Sequence, residues 1–124
     1  MSKEENKALA RRIYAEMWNQ GDLNVAREIF TLPEGVERFV REFRAAFPDL
    51  QHTVETMIAE GNQVAIRFRA EGTHVGPWRQ YPPSNNPVHY TGVTIITIEN
   101  GKIIDHHTWW DRWELSQQIS AKGE

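Results

Sequence analysis

A chain of 124 residues can build one hydrophobic core but not two, so a single domain over residues 1–124 is expected. A net charge of -3 with no basic run argues against a nucleic-acid partner, and the absence of Cys excludes disulfides, a thiol nucleophile and a thiolate metal site. The charged opening Met1-Ser2-Lys3-Glu4-Glu5-Asn6-Lys7 resembles no signal peptide, and no apolar run approaches the roughly 18 residues of a membrane span, so a soluble cytoplasmic protein is expected.

The first half reads as helices. Leu9, Ile13 and Met17, with Ala10 and Tyr14 less regularly, recur at helical spacing until Asn19-Gln20-Gly21-Asp22 stops them. Residues 23–30 form a short second helix with Val25, Ala26, Ile29 and Phe30 on its apolar side. After the break Thr31-Leu32-Pro33-Glu34-Gly35, a third helix carries Val36, Phe39, Val40, Phe43 and Phe47 at spacings of three and four, and Pro48-Asp49 ends it.

The second half reads as antiparallel sheet. Residues 51–60 and 63–74 are joined by Gly61-Asn62, and residues 88–99 and 102–113 by Asn100-Gly101, the strongest short hairpin signal. Val64, Ile66, Phe68 and Ala70 alternate as a core row. The proline-rich stretch from Gly76 to Pro87 cannot join a ladder and reads as a loop over one end of the sheet. A short helix is expected from about Asp111 to Ile119. Helices followed by two hairpins predict an α+β domain: a curved antiparallel sheet packed on about three N-terminal helices, with a cone-shaped pocket between them.

The last strand carries the candidate chemistry. Alternation puts Asp105, His107, Trp109 and Asp111 on one face. Burying such groups unpartnered would cost roughly 2–7 kcal/mol for each uncharged one, so the row makes sense lining a cavity. Counting outward from Asn100-Gly101 sets Asp105 against Ile96, His107 against Thr94, Trp109 against Gly92 and Asp111 against Tyr90. Gly92 would then leave room for the Trp109 indole as a pocket wall, and Tyr90 could offer its hydroxyl to Asp111. A carboxyl in such a partly apolar setting can be tuned to act as acid or base. Asp111 has a second reading as the N-cap of the last helix, with Glu114 three residues on. His107 reads equally as a hydrogen-bonded pocket histidine or as a proton relay. His106 points away from His107, so the two cannot ligate one metal, and no spaced His/Glu pattern suggests a metal elsewhere. Trp110 and Trp113 are expected in packing or subunit contact.

Several short motifs together resemble the SnoaL-like polyketide cyclase family within the nuclear-transport-factor-like cone superfamily. They are Phe47-Pro48-Asp49-Leu50, Ile58-Ala59-Glu60-Gly61-Asn62, Gly72-Thr73-His74-Val75-Gly76, the Pro82-Pro83 loop, Ile98-Glu99-Asn100-Gly101-Lys102-Ile103, and Asp111 with Leu115 and Gln118. Trp18-Asn19-Gln20-Gly21-Asp22 fits the family's opening. The resemblance implies an intramolecular aldol ring closure on a hydrophobic, polyketide-like molecule, without metal or cofactor, with Asp111 as acid/base and His107 beside it. Tyr90, Trp109, Asp105, His74 and Thr94 are the expected ligand contacts, and the family suggests a homodimer. Non-catalytic binding of an apolar molecule and a pure dimerisation role are the alternatives. Two departures stand out. Gly92 and Thr94 replace polar residues that assist the cyclases, and about 15 residues around Thr31–Gly35 are missing, which should open the pocket on that side.

Overall fold

The computed structural model describes residues 2–120. Ser2 caps α1 (Lys3–Arg12) in a capping box: its Oγ accepts from the Glu5 N–H, and the Glu5 carboxylate accepts from the Ser2 N–H, both at 3.1 Å. The helix then widens into a π-helical run, Ile13–Trp18, a distortion found often at functional sites. It ends before Gly21, which takes φ +69°. α2 (Asn24–Ile29) and α3 (Pro33–Ala46) follow, and α3 starts on a proline whose missing N–H costs nothing in the first turn.

The sheet is an antiparallel meander in the order β1 (Gln51–Glu60), β2 (Gln63–Thr73), β3 (Pro87–Glu99), β4 (Lys102–Trp110). Both expected turns are present, closing on Glu60 with Gln63 and on Glu99 with Lys102. Asn100 and Gly101 both take positive φ, the backbone that matches the twist of a two-residue hairpin. The expected row Val64, Ile66, Phe68 and Ala70 is buried. It continues across β3 as Val88, Tyr90, Thr94, Ile96 and Ile98, all packed on the helices. Residues 74–86 form the expected loop, and α4 (Arg112–Ser120) closes the fold, so the sheet carries three N-terminal helices and one C-terminal one. Among the described residues no helix is long and apolar enough to cross a membrane.

The two outer strands depart from simple counting. In β1 the register slips between Val54 and Thr56, leaving Glu55 as an extra residue. In β4, Ile98 faces Ile103 but Thr97 faces Asp105, so Ile104 is extra. The bulge lies where the chain between α2 and α3 docks on β4: the Thr31 N–H donates to the Ile103 carbonyl at 3.1 Å, and Phe30 bridges Ile103. On its other side Ile98 extends the β2–β3 register by one pair, its N–H donating to the Asn62 carbonyl at 2.8 Å. Past this bulge the parity of β4 is reversed. Trp110, not Trp109, faces Gly92, Thr108 faces Thr94, and His106 faces Ile96.

Gly92 still makes room for an indole, but for Trp110. A Cβ built there would lie 2.7 Å from Phe68 Cζ, 2.7 Å from the Trp109 carbonyl oxygen and 2.9 Å from Trp110 Cβ. Gly92→Ala is therefore expected to lower the stability to urea by about 1–3 kcal/mol, as overpacking against backbone does. An unchanged midpoint would show that β3 and β4 can separate freely at this point.

Candidate functional site

The cone holds a cavity of about 410 Å3 between the sheet and the helices. Its walls are mostly apolar: Met17 and Trp18 from the π-helical run, Val36, Phe39, Val40 and Phe43 from α3, and Phe68, Ile96 and Trp110 from the sheet. Leu32, which is 78% exposed, and Gly35 stand at the mouth, on the side where the segment between α2 and α3 is short. Among the described residues no Asp or Glu lines the cavity.

Its polar groups form two sets. In the first, the Tyr14 hydroxyl donates to Thr94 Oγ1 at 2.7 Å, and Thr94 Oγ1 lies 2.9 Å from Thr108 Oγ1. Thr94 Oγ1 accepts the Tyr14 proton and shares a second hydrogen bond with Thr108 Oγ1 in which either hydroxyl can donate; with Thr94 as the donor, the Thr108 proton is free to meet an oxygen in the cavity. Burial pushes the Tyr14 phenol up to about 12, against the lowering effect of Thr94, so it stays a donor at neutral pH. Burial also raises Tyr90, with a contribution from nearby Tyr14.

The second set is a pair of imidazoles. His52 sits among Trp18, Tyr14 and Phe68, with ring centroids at 4.8, 5.5 and 5.3 Å. Asn19 clamps its backbone: Asn19 Oδ1 accepts from the His52 N–H at 2.7 Å, and Asn19 Nδ2 donates to the His52 carbonyl at 2.9 Å. The Nδ1 atom is buried with no hydrogen-bond partner. Desolvation, helped by the charge of Arg44, pushes this imidazole down to about 3, so it is neutral under ordinary conditions. His106 lies nearer the opening, edge-on to Phe30 with centroids at 5.2 Å. Desolvation also holds it below the ordinary histidine value, opposed by Asp105 and supported by His107.

The residues expected from parity are only partly here. Tyr90 and Thr94 line the cavity. Asp105, His107 and Trp109 point to the outer face of the sheet because of the Ile104 bulge. There His107 Nε2 lies 3.2 Å from Asp105 Oδ2 and its ring packs on Trp109 at 5.9 Å, while Trp109 is 59% exposed. His107 touches the cavity only as a neighbour of the inward pair His106 and Thr108. Asp111 does not face Tyr90. The ladder ends at Trp110, and Asp111 Oδ1 accepts the Glu114 N–H at 2.8 Å, which makes it the N-cap of α4 and leaves it outside the cavity lining. His74 is also elsewhere. It is fully buried behind Phe47, with Nδ1 2.9 Å from Ser84 Oγ, and its backbone holds the loop through Asn85 and Asn86. Trp110, which simple alternation sets on the face opposite the Asp105–Asp111 row, packs inside, on Tyr90 at 5.1 Å and Phe43 at 5.8 Å. His52, Tyr14, His106 and Thr108 were not read from the sequence as site residues.

A sequence profile of the SnoaL-like polyketide cyclases matches residues 8–119. The chain belongs to the SnoaL-like polyketide cyclase family. Among solved structures it is similar to a protein assigned to the same family from Jannaschia sp. CCS1, with 26% identity, a TM-score of 0.91, and 98% of this chain and 95% of that one covered. IdmH from Streptomyces antibioticus, assigned as a polyketide cyclase, has 25% identity and a TM-score of 0.82, with 94% and 99% covered. AclR from Streptomyces galilaeus, assigned as a hydroxylase, has 25% identity and a TM-score of 0.87, with 95% and 82% covered. No curated protein matches the chain.

His52 also makes a prediction about stability. Its folded pKa lies below the unfolded value of 6.5, so below that pH the unfolded state binds more protons and stability falls. The loss begins as pH drops through 6.5 and continues toward 3, at about 1.4 kcal/mol per pH unit for this one group. His74 and His106 shift in the same direction and add to it. His52→Phe removes one titrating group, so the difference in urea stability between pH 7 and pH 5 should shrink relative to wild type. An equal acid loss in both proteins would mean that His52 is solvated and titrates normally.

Proposed function

We propose that the chain is a small-molecule enzyme of the polyketide cyclase type, closing a ring in an apolar, polycarbonyl substrate by acid/base chemistry without a cofactor. The observation that carries this reading is the set of polar side chains that the β3–β4 wall presents to a mostly apolar cavity: His106 and Thr108 share the inward face of β4, and Thr108 is hydrogen-bonded to Thr94 and through it to Tyr14. An intramolecular aldol closure needs a base to take a proton from carbon and a donor at the carbonyl oxygen that becomes the new hydroxyl. His106, which desolvation at the cavity wall holds below the ordinary histidine value, takes the carbon-bound proton. The resulting enolate carbon forms the new C–C bond as the carbonyl π pair moves onto oxygen, and that oxygen is held by the Thr108 donor. His106 then returns the proton to the alkoxide, so atoms and charge balance and the product is an isomer of the substrate.

Non-catalytic binding of an apolar molecule is the second reading. It is favoured by the lack of any carboxylate in the cavity lining. A linear polycarbonyl ester that the protein converts to a product of unchanged mass decides for the enzyme, and binding without conversion decides for the carrier. On such a substrate His106→Gln is expected to lower kcat by about 10²–10⁴-fold. Asp111→Asn keeps a good N-cap and should leave both stability and turnover close to wild type. The reverse pattern would move the acid/base role to Asp111, as the family resemblance implies.

A homodimer through the outer face of the sheet belongs to the same proposal. Ile58, Ala65 and Ile95 share a cross-strand row there, beside Val93 and the exposed Trp109. Such a patch of apolar and aromatic side chains is typical of a subunit contact. Light scattering at micromolar concentration should give twice the chain mass for wild type and the single chain mass for Trp109→Arg. A wild-type monomer rejects the dimer.

A further inference from the structure

Beside the main cavity lies a second cleft of about 200 Å3, which shares Phe39, Trp110 and Arg112 with it. Its remaining walls include Trp78, Tyr81, Leu115 and Ile119, and Arg79 joins Arg112 among them. Each guanidinium lies over an indole at cation–π distance: Arg79 Cζ is 4.7 Å from the Trp78 ring centroid, and Arg112 Cζ is 5.5 Å from that of Trp110. Neither makes an ion pair or a side-chain hydrogen bond among the described residues. The N–H edges of both are therefore available, the edges that meet a carboxylate or sulfonate with two parallel hydrogen bonds.

The presentation of Arg79 is built into the backbone. Trp78 and Tyr81 exchange hydrogen bonds, N–H to carbonyl, at 3.0 and 2.9 Å, closing a tight turn. Within it Arg79 takes φ +54°, a left-handed conformation that a long side chain rarely adopts and that costs energy. In a chain of net charge -3, the cleft gathers two cations, and among the described residues no acid lines it or the main cavity.

We infer that the ligand of this cone is an acid: an apolar, ring-bearing body seated in the main cavity and an anionic group held in the cleft between Arg79 and Arg112. The inference rests on the main cavity being the ligand site and adds the chemical class of the ligand. Arg112 stands on the shared wall, so one molecule can reach both spaces.

Two fluorescent probes with the same rings separate the two ideas. Anilinonaphthalenesulfonate carries an acidic group, and phenylnaphthylamine is the same skeleton without it. At low salt the wild-type protein is expected to bind the sulfonate about tenfold more tightly, and added salt should erode that advantage. In the double variant Arg79→Gln, Arg112→Gln, checked for an unchanged thermal melt, the sulfonate should fall to the affinity of the neutral probe. The neutral probe itself should stay within about twofold of its wild-type affinity. Equal binding of the two probes by wild type, or a sulfonate advantage that survives in the double variant, overturns the acid inference while the apolar cavity stands. Failure of both probes to bind overturns the cavity as ligand site, and the inference with it.

Discussion

The hydrogen bond from the Thr31 N–H to the Ile103 carbonyl stands where one extra residue enters β4, and the chemistry of the cavity depends on that residue. Strand side chains alternate, so one inserted position exchanges the whole set of groups that face inward. With Ile104 as the bulge, the inward row past it is His106, Thr108 and Trp110, and the outward row is Asp105, His107 and Trp109. The consequence is electrostatic as much as geometric. Asp105 stays in water beside His107, and the cavity receives an imidazole, a hydroxyl and an indole that can be desolvated at much lower cost than a carboxylate.

β1 repeats the device. Glu55 bulges out between Val54 and Thr56, and the shift turns His52 inward opposite Ala70 instead of leaving it on the solvent side. Bulges are common on outer strands, where they bend the edge and add twist, and here both outer strands of the sheet have one while β2 and β3 pair without interruption. The same two residues that curve the sheet into a cone therefore also set the two histidines in it.

This explains what could be read from the sequence. The core rows of β2 and β3, the two hairpin turns, the prolines of the 74–86 loop and the helical spacings of the first half are local signals, and they were legible as such. Position within β4 was not, because Ile103-Ile104 is a pair of similar apolar residues. Either can fill the buried place, and nothing in their composition announces that one of them is extra. Gly92 opposite an indole was equally ambiguous, since Trp109 and Trp110 are neighbours and only the register chooses between them. His52 was hidden by the Glu55 bulge in the same way. Asp111 could be read as a cap from Glu114 three residues on, and the cap is where its carboxylate is engaged.

Family membership fixes less of the reaction than of the fold for the same physical reason. Assigned cyclases and an assigned hydroxylase share this architecture with the chain at about a quarter identity. The buried rows of the central strands need only be apolar and of suitable volume to keep the sheet on its helices. Most polar groups of the cavity, Tyr14, His52, His106 and Thr108 among them, stand on the outer strands and on the π-helical run, where a bulge or a widened turn re-aims side chains without disturbing the core. Loss of the β4 bulge would replace His106, Thr108 and Trp110 by Asp105, His107 and Trp109 on the inward face, converting an imidazole wall into a carboxylate–imidazole one with the turn at Asn100-Gly101 untouched. A fold whose core tolerates that change can be retained while its chemistry diverges, so it is the register of the outer strands that must be known before a reaction is assigned.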